Sequence, residues 1–422
     1  MMQFKIPYGK VYQTINISAE YHADIIEPED TPAPPDPLNI VSEALEKPFG
    51  TPQSFDKKAQ SVAIAINDKT RPVPHEYLLP PLLDKIAMAG IPNSNVFLLI
   101  ATGTHVPMKP DEFKLILPPE IIQNYPVISH NCDDITNLVD LGSTSRQTPI
   151  AVNRQFYQAD IRLAVGNIEP HHFMGFSGGA KSVSIGLTGR NTINTNHSML
   201  DDPHAKIAEF ELNPMRQDVE EIGQKIGIHL VLNSILNGNR ELISALAGQS
   251  ADVMKIGIEK SRNICQNKVF HLYDLVIASV GGYPKDINLY QAQKAISHAS
   301  LITKNGGVLI LVAECAEGIG STSFEQFMTG ITKTEEVMLK FRETGFQIGP
   351  HKAFMIAKQA ARIHIYLISK LSADVTRKFL IQPSIDLQTA FSDAIDILPN
   401  HPKIAIMPHA TNTIPYLVGV SG

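Results

Sequence analysis

The chain has 422 residues, 43% of them hydrophobic and 18% charged, with a formal net charge of −6, a composition of ordinary globular type and a length beyond one typical core, so two domains are expected. The acidic balance and lack of a basic run argue against nucleic acid as a main partner, and no apolar stretch reaches the length of a membrane span. MMQFKIPYGKVYQT carries no signal-peptide core, so a cytoplasmic location is expected, and Cys132, Cys265 and Cys315 stand far apart without CxxC spacing, which points to buried-core roles and to neither a disulfide framework nor a cysteine zinc site.

FKIPYG and VYQTINIS alternate weakly, as in a hairpin, and EPEDTPAPPDPL after Ile26 reads as an extended connector. VSEALEKP predicts a short helix. The run SVAIAI at 61–66 predicts a strand followed directly by Asp68, Thr70 and Arg71. Residues 77–90 have helical spacing and end on Gly90, and NVFLLIATG at 95–103 predicts a second strand, followed by Thr104 and His105. A third strand is expected at 160–165, broken by Gly166 and Asn167. Three strand tips thus offer polar side chains to one sheet edge, where open α/β sheets bind ligands.

Beyond the third tip, EPHHFMGFSGGAKSVSIGLTGRNTINTNHSML packs His171, His172 and His197, a glycine-rich loop and Lys181 into a short span. Gly175, Gly178 and Gly179 suit positive φ or close backbone approach, and Lys181 falls where the helix SVSIGL begins, so the segment reads as an anion cradle. It is not a nucleotide P-loop, because Ala180 precedes the lysine and Gly175 lies too near. A helix at about 215–227, the strand HLVLNSILN and a helical connecting element at 247–267 follow. A second α/β series comprises the strand at 273–280, GGYPKD, a helix from 289, GGVLILVAEC, helices at 333–343 and 351–362, IHIYLIS, LQTAFSDAIDIL and a last strand plus loop in KIAIMPHATNTIPYL.

The ordered set DKTRPVP, ATGTH, EPHHFMGFSGGAKS, the NHSML histidine and GGYPKDINLYQAQK, spread over about residues 60–300, resembles the nickel-dependent lactate racemase family. The resemblance implies two α/β domains with mostly parallel sheets and the active site in the interdomain cleft. The expected division is a cofactor-binding domain over 1–265 with a C-terminal return at 398–422, and a second domain over 270–397. It further implies a nickel pincer nucleotide, a pyridinium mononucleotide with two thiocarboxyl groups, covalently tethered to Lys181. Gly178, Gly179 and Thr104 would lie against that cofactor, and His197 would be the protein's one nickel ligand. His105 and His171 would be the acid/base pair. Asp68 and Arg71 would line the substrate pocket, with Tyr290, Gln291 and Lys294 reaching it from the second domain. The implied partners are a small 2-hydroxy acid and the enzymes that build the cofactor.

The residue types suit that chemistry. A carbanion beside a carboxylate is costly, and hydride transfer to a pyridinium avoids it while a neutral histidine takes the hydroxyl proton. Two faces need two proton carriers, and histidine titrates near working pH. Square-planar nickel held by two sulfurs and a carbon needs one imidazole, a neutral lysine can attack a thiocarboxylate, and an arginine fork fits a carboxylate. Read alone, Asp68 is also a turn cap, Lys181 a phosphate-contacting lysine, and Gln291 with Lys294 a solvated helix face. His172, His75, His130, His204, His298, His351, His364 and His409 are taken as structural. The chain has no tryptophan, whereas the family's lactate enzyme has one near the substrate. Phe354 is the expected filler of that space, and dicarboxylic, aromatic and sugar acids stand level with lactate. Two alternatives remain: a zinc-type hydrolase built on His105, His171 and His197, and a non-catalytic carrier of the nickel nucleotide.

Overall fold

The computed structural model describes residues 2–27, 31–50, 59–71 and 73–418. Pro72 of DKTRP, residues 28–30 of the expected connector and the last four residues of the expected return lie outside that range. The chain divides into two compact units, one formed by 30–264 and the other by 1–29 together with 265–422.

The 30–264 unit is built on a six-stranded sheet in the order Leu242–Gly248, Leu230–Leu236, Ile161–Asn167, Val62–Asn67, Val96–Ala101, Val127–Ser129. All neighbours are parallel except the first pair. Alternation along Val62–Asn67 sends Val62, Ile64 and Ile66 to one face, against Leu78, Leu82 and Ile86 of the His75–Met88 helix. Ala63 and Ala65 go to the other face, with Val183, Ile222, Val253 and Met254. Two faces covered by helices explain why these strands read as continuous apolar runs.

From Val62–Asn67 the chain builds outward through Val96–Ala101 and Val127–Ser129, then crosses back to lay Ile161–Asn167 along the opposite edge of the starting strand. The two adjacent strands therefore form a topological switch point, with a crevice at their carboxyl ends. The third strand runs through Gly166 and Asn167, which were expected to break it. Glycine suits this place because an added Cβ would meet Ser182 Oγ at 3.1 Å and Asn67 Oδ1 at 3.2 Å.

The other unit holds a parallel six-stranded sheet in the order Gln382–Pro383, His364–Ile368, Thr303–Val312, Tyr273–Ser279, Ile404–Met407, Ala23–Ile25. This corrects the expected domain boundaries. The C-terminal return pairs with Tyr273–Ser279, and Ile414–Leu417, expected as loop, pairs with Gln266–Val269. The N-terminal hairpin Met2–Tyr8/Val11–Ile17 also belongs here, burying Ile6, Ile15 and Ile17 against Leu275, Ile277, Val308 and Ile310. The continuous 30–264 unit is thus the insertion. The physical cause is burial: the hairpin's one apolar face finds its partner in this second core.

Cys132 and Cys315 are buried as expected, while Cys265 at the end of the Ser250–Cys265 helix is only half-buried. Among the described residues no helix is long and apolar enough to cross a membrane.

Candidate active site

The carboxyl ends of the switch-point strands gather most of the predicted residues. Asp68 follows Val62–Asn67 directly and is 4% exposed. Its Oδ1 accepts from the Thr70 amide at 3.1 Å and the Thr70 hydroxyl at 2.6 Å, and its Oδ2 stands 2.6 Å from His105 Nδ1. Burial pushes this carboxyl upward, but the bonds from His105 and Thr70 outweigh it and hold the group below the usual aspartate range. An ionised carboxylate only accepts, so His105 carries a hydrogen on Nδ1, and in the neutral ring the lone pair is at Nε2. His105 comes off the neighbouring strand through a tight turn, its amide donating to Thr102 O at 3.0 Å, and its side chain stays 40% exposed. The turn cap expected for Asp68 and its place in the site are therefore one arrangement. Thr104 lies half-buried in the same turn.

His171 lies beyond the third strand in a short ribbon, Pro170–His171 paired with Gly175–Phe176. Its ring stacks on His172 at 4.5 Å, meets Phe173 edge-on, and accepts at Nδ1 from the Met174 amide over 3.3 Å. In the neutral ring the hydrogen is then on Nε2. Burial, followed by the charges of Lys181, His172 and Arg71, drives His171 well below the ordinary histidine value. The three loop glycines all adopt positive φ: 70° at Gly175, 83° at Gly178 and 59° at Gly179. They deliver Lys181 to the start of the short Lys181–Ser184 helix.

Lys181 is half-exposed as a residue, yet desolvation of its amine, then Arg71 and Arg216, lower its pKa well below the ordinary lysine value. His197, on the helix Arg190–Ser198, is 7% exposed, and burial together with Lys181 brings it to about 3. Phe173 bridges the two histidines, with its ring 5.3 Å from that of His197. Arg71 closes the group electrostatically and also lines a cavity of about 710 Å³ with Lys69, Lys114 and Arg240. An amine lowered well below the ordinary lysine value, two imidazoles lowered below the ordinary histidine value and a guanidinium thus share one end of this unit.

Arg216 and Asn233 escaped the sequence reading. Arg216, fully buried, donates from Nη2 to Gly178 O at 2.9 Å and to Glu220 at 2.5 Å, and from Nη1 to Phe176 O at 3.2 Å. Asn233 Oδ1 accepts from the Gly179 amide at 2.7 Å. Together they clamp the loop that carries Lys181. The available signal was polar character inside apolar periodicity, as in LVLNSIL.

Tyr290, Gln291 and Lys294 lie in the other unit, in the first turns of the helix Leu289–Ala299, whose N-cap Asn288 accepts from the Gln291 amide. Lys294 Nζ donates to Gln291 Oε1 at 3.2 Å, so the two share a face. Phe354 does not take the expected place: it is 1% exposed and stacks on Phe341 at 4.5 Å, packed into the core by its own aromatic neighbour. Lys352 stands beside Tyr290 instead, its Nζ 5.1 Å from that ring's centroid. His75, His130, His298 and His351 are buried with backbone hydrogen bonds, as structural histidines are.

Among the described residues no three His, Cys, Asp or Glu side chains converge as a metal site, so the hydrolase alternative gains no support from the donor set. One neutral imidazole at His197 beside a neutral-leaning amine at Lys181 does fit a metal whose other ligands arrive on a lysine-tethered organic group.

Residues 8–208 match the model of the lactate racemase N-terminal domain and residues 270–414 that of the lactate racemase C-terminal domain. A lactate racemase of Thermoanaerobacterium thermosaccharolyticum is 29% identical over 98% of this chain and 99% of its own length, and one of Lactiplantibacillus plantarum is 27% identical over 80% and 81%. The apoprotein structure of the Thermoanaerobacterium thermosaccharolyticum racemase superposes with a TM-score of 0.88 at 29% identity, covering 98% of this chain and 100% of that one. A Thermotoga maritima protein structure, 16% identical with a TM-score of 0.62 over 90% and 97% of the two chains, shares the fold. Two domain models in the expected order, a near full-length relative and a superposable structure place this chain in the lactate racemase family.

Proposed function

We propose that this chain is an isomerase, a racemase or epimerase of a 2-hydroxy acid that works with a nickel pincer nucleotide tethered to Lys181. The observation that carries the reading is the pair of differently prepared imidazoles, His105 held by Asp68 and His171 buried beside Lys181 and Arg71. Lys181 would hold the cofactor through its amine, whose burial and cationic neighbours favour the neutral form, His197 would ligate the nickel, and Gly178, Gly179 and Thr104 would lie along it. When bound, that cofactor supplies an acceptor for the substrate's C2 hydrogen together with its electron pair.

The chain's own residues do the rest. Arg71 binds and orients the carboxylate through its fork. His105, with its lone pair at Nε2, takes the hydroxyl proton on one face, and Asp68 steadies the imidazolium that results. His171 handles the proton on the opposite face, where its burial excludes water. Tyr290, Gln291 and Lys294 are the substrate contacts of the other unit. The cofactor comes from biosynthetic enzymes, which are the partners this reading requires.

The test is to load the protein by co-expression with those enzymes, then incubate it with single-enantiomer 2-hydroxy acids under chiral chromatography. Interconversion, with C2 deuterium largely retained in the product and a primary isotope effect, is expected. Full exchange of the label with solvent would point to simple proton abstraction. Intact mass should show an adduct that disappears in Lys181→Ala, and an adduct that persists would refute the tether.

A further inference from the structure

Ser177 lies in the glycine-rich loop shortly before Lys181 and is 8% exposed. Among the described residues its hydroxyl has no hydrogen-bond partner. Ser182, Ser184 and Ser234, also buried in the 30–264 unit, each donate: to Asn67 Oδ1 at 3.3 Å, Val219 O at 2.8 Å and Gly166 O at 3.3 Å. Buried hydroxyls are ordinarily bonded, and an unanswered one costs stability.

The backbone around Ser177 is held in place. Its amide donates to Glu169 O at 2.8 Å, and the carbonyls on either side, Phe176 and Gly178, accept from Arg216. That amide bond continues the ribbon's register by one pair, setting Glu169 opposite Ser177 after His171 opposite Gly175 and Pro170 opposite Phe176. Side chains alternate along a strand, and opposed residues share a face. Phe176 turns into the core with Val183 and Ile222. Ser177 therefore turns the other way, to the face that carries His171. The charges of Lys181 and Arg71 reach that histidine, so an electron-rich acceptor is favoured on this face.

We infer that the Ser177 hydroxyl is a cofactor contact, donating to an acceptor oxygen or sulfur of the group that Lys181 holds. The inference rests on the proposed function, in which that group is tethered beside His171. A hydroxyl left unanswered in the folded chain then serves binding: its burial cost is relieved when the acceptor arrives, and the relief adds to affinity. Arg216 cannot take this part, because its guanidinium is engaged with the loop carbonyls and Glu220.

The test compares wild type with Ser177→Ala and Ser184→Ala, the second of which removes a hydroxyl that already has its acceptor. In the cofactor-free chain Ser177→Ala should melt no lower than wild type and up to about 4 °C higher, whereas Ser184→Ala should melt lower. After co-expression with the cofactor-synthesis enzymes, intact mass should show occupancy of Lys181 down about tenfold in Ser177→Ala and, per folded molecule, unchanged in Ser184→Ala. Full occupancy in Ser177→Ala would overturn the inference, as would a fall in its melting temperature like that of Ser184→Ala.

An adduct missing from wild type would sink the tether separately. Calorimetric titration of the cofactor-free chain with nicotinate mononucleotide, a pyridinium mononucleotide bearing a carboxylate, then decides the contact. Binding weakened about tenfold in Ser177→Ala sustains it, and equal binding, or none to wild type, removes it.

Discussion

His105 Nδ1 and Asp68 Oδ2 lie 2.6 Å apart at the ends of adjacent parallel strands, joining the first two strand tips of the site. The contact orients one ring of the proposed acid/base pair and decides which nitrogen faces outward.

Replacing Asp68 by Asn should therefore lower kcat by about 10² to 10⁴, a range set by general-base contributions, with a smaller change in KM. The same variant carries a pH signature. Asp68 has a depressed pKa in the folded protein, so its stabilisation is present above the ordinary aspartate value and fades as pH falls through the lower folded value. Denaturant titrations should show wild type ahead of Asp68→Asn at pH 7, by about 1–3 kcal/mol, and the gap closing in acid. A gap that persists unchanged into strong acid would place the carboxylate outside this linkage.

His197 and His171 are both buried and both lowered, yet they are assigned different work. His197→Ala should strip nickel from protein that still shows the Lys181 adduct, read by elemental analysis alongside intact mass. His171→Asn should keep nickel and lose racemisation by about two to four orders of magnitude. Retention of full nickel in His197→Ala would remove it as the ligand.

The glycine loop offers a graded test. A Cβ at Gly175 would meet the Glu209 carbonyl oxygen at 1.7 Å, whereas at Gly178 the nearest atom is Ile168 Cγ1 at 2.6 Å. The first obstacle is backbone and the second the branch of a side chain. Gly175→Ala should cost more stability than Gly178→Ala, with both beyond about 1 kcal/mol because of their positive φ. Arg216→Met should leave the loop carbonyls of Phe176 and Gly178 unclamped and reduce adduct formation at Lys181 with the fold retained. Equal adduct yields would mean that the clamp is dispensable.

Much of this arrangement was legible in the chain. SVAIAI, NVFLLIATG and the 160–165 run are apolar because both sheet faces are covered, and the polar residues after them fall at strand ends for the same reason. What escaped depends on distant partners. The N-terminal hairpin carries one apolar face with no mark of which core receives it, so the direction of domain insertion was read the wrong way round. Leu242–Gly248 has glycine and alanine at its end and lacks β-branched density. Phe354 and Lys352 are two residues apart in HKAFMIAK, and only the packing of Phe354 on Phe341 shows which of them stands beside Tyr290.

That lysine has a thermodynamic consequence independent of any substrate. Its pKa is lowered by burial, then by Lys294, to about 7 from an ordinary 10.5. The unfolded chain therefore binds more protons than the folded one between these values, and stability rises with pH across that window. Below about 7 the penalty for Lys352 is fully present, and above 10.5 it is gone. Lys352→Met in the cofactor-free protein should thus be more stable than wild type at pH 7, on the order of 1–4 kcal/mol as for other buried charges replaced by apolar groups of similar shape. The advantage should shrink towards pH 10, as read by urea midpoints at a series of pH values. A variant less stable than wild type at every pH would mean that the contacts to Gln293 and Tyr290 satisfy the amine.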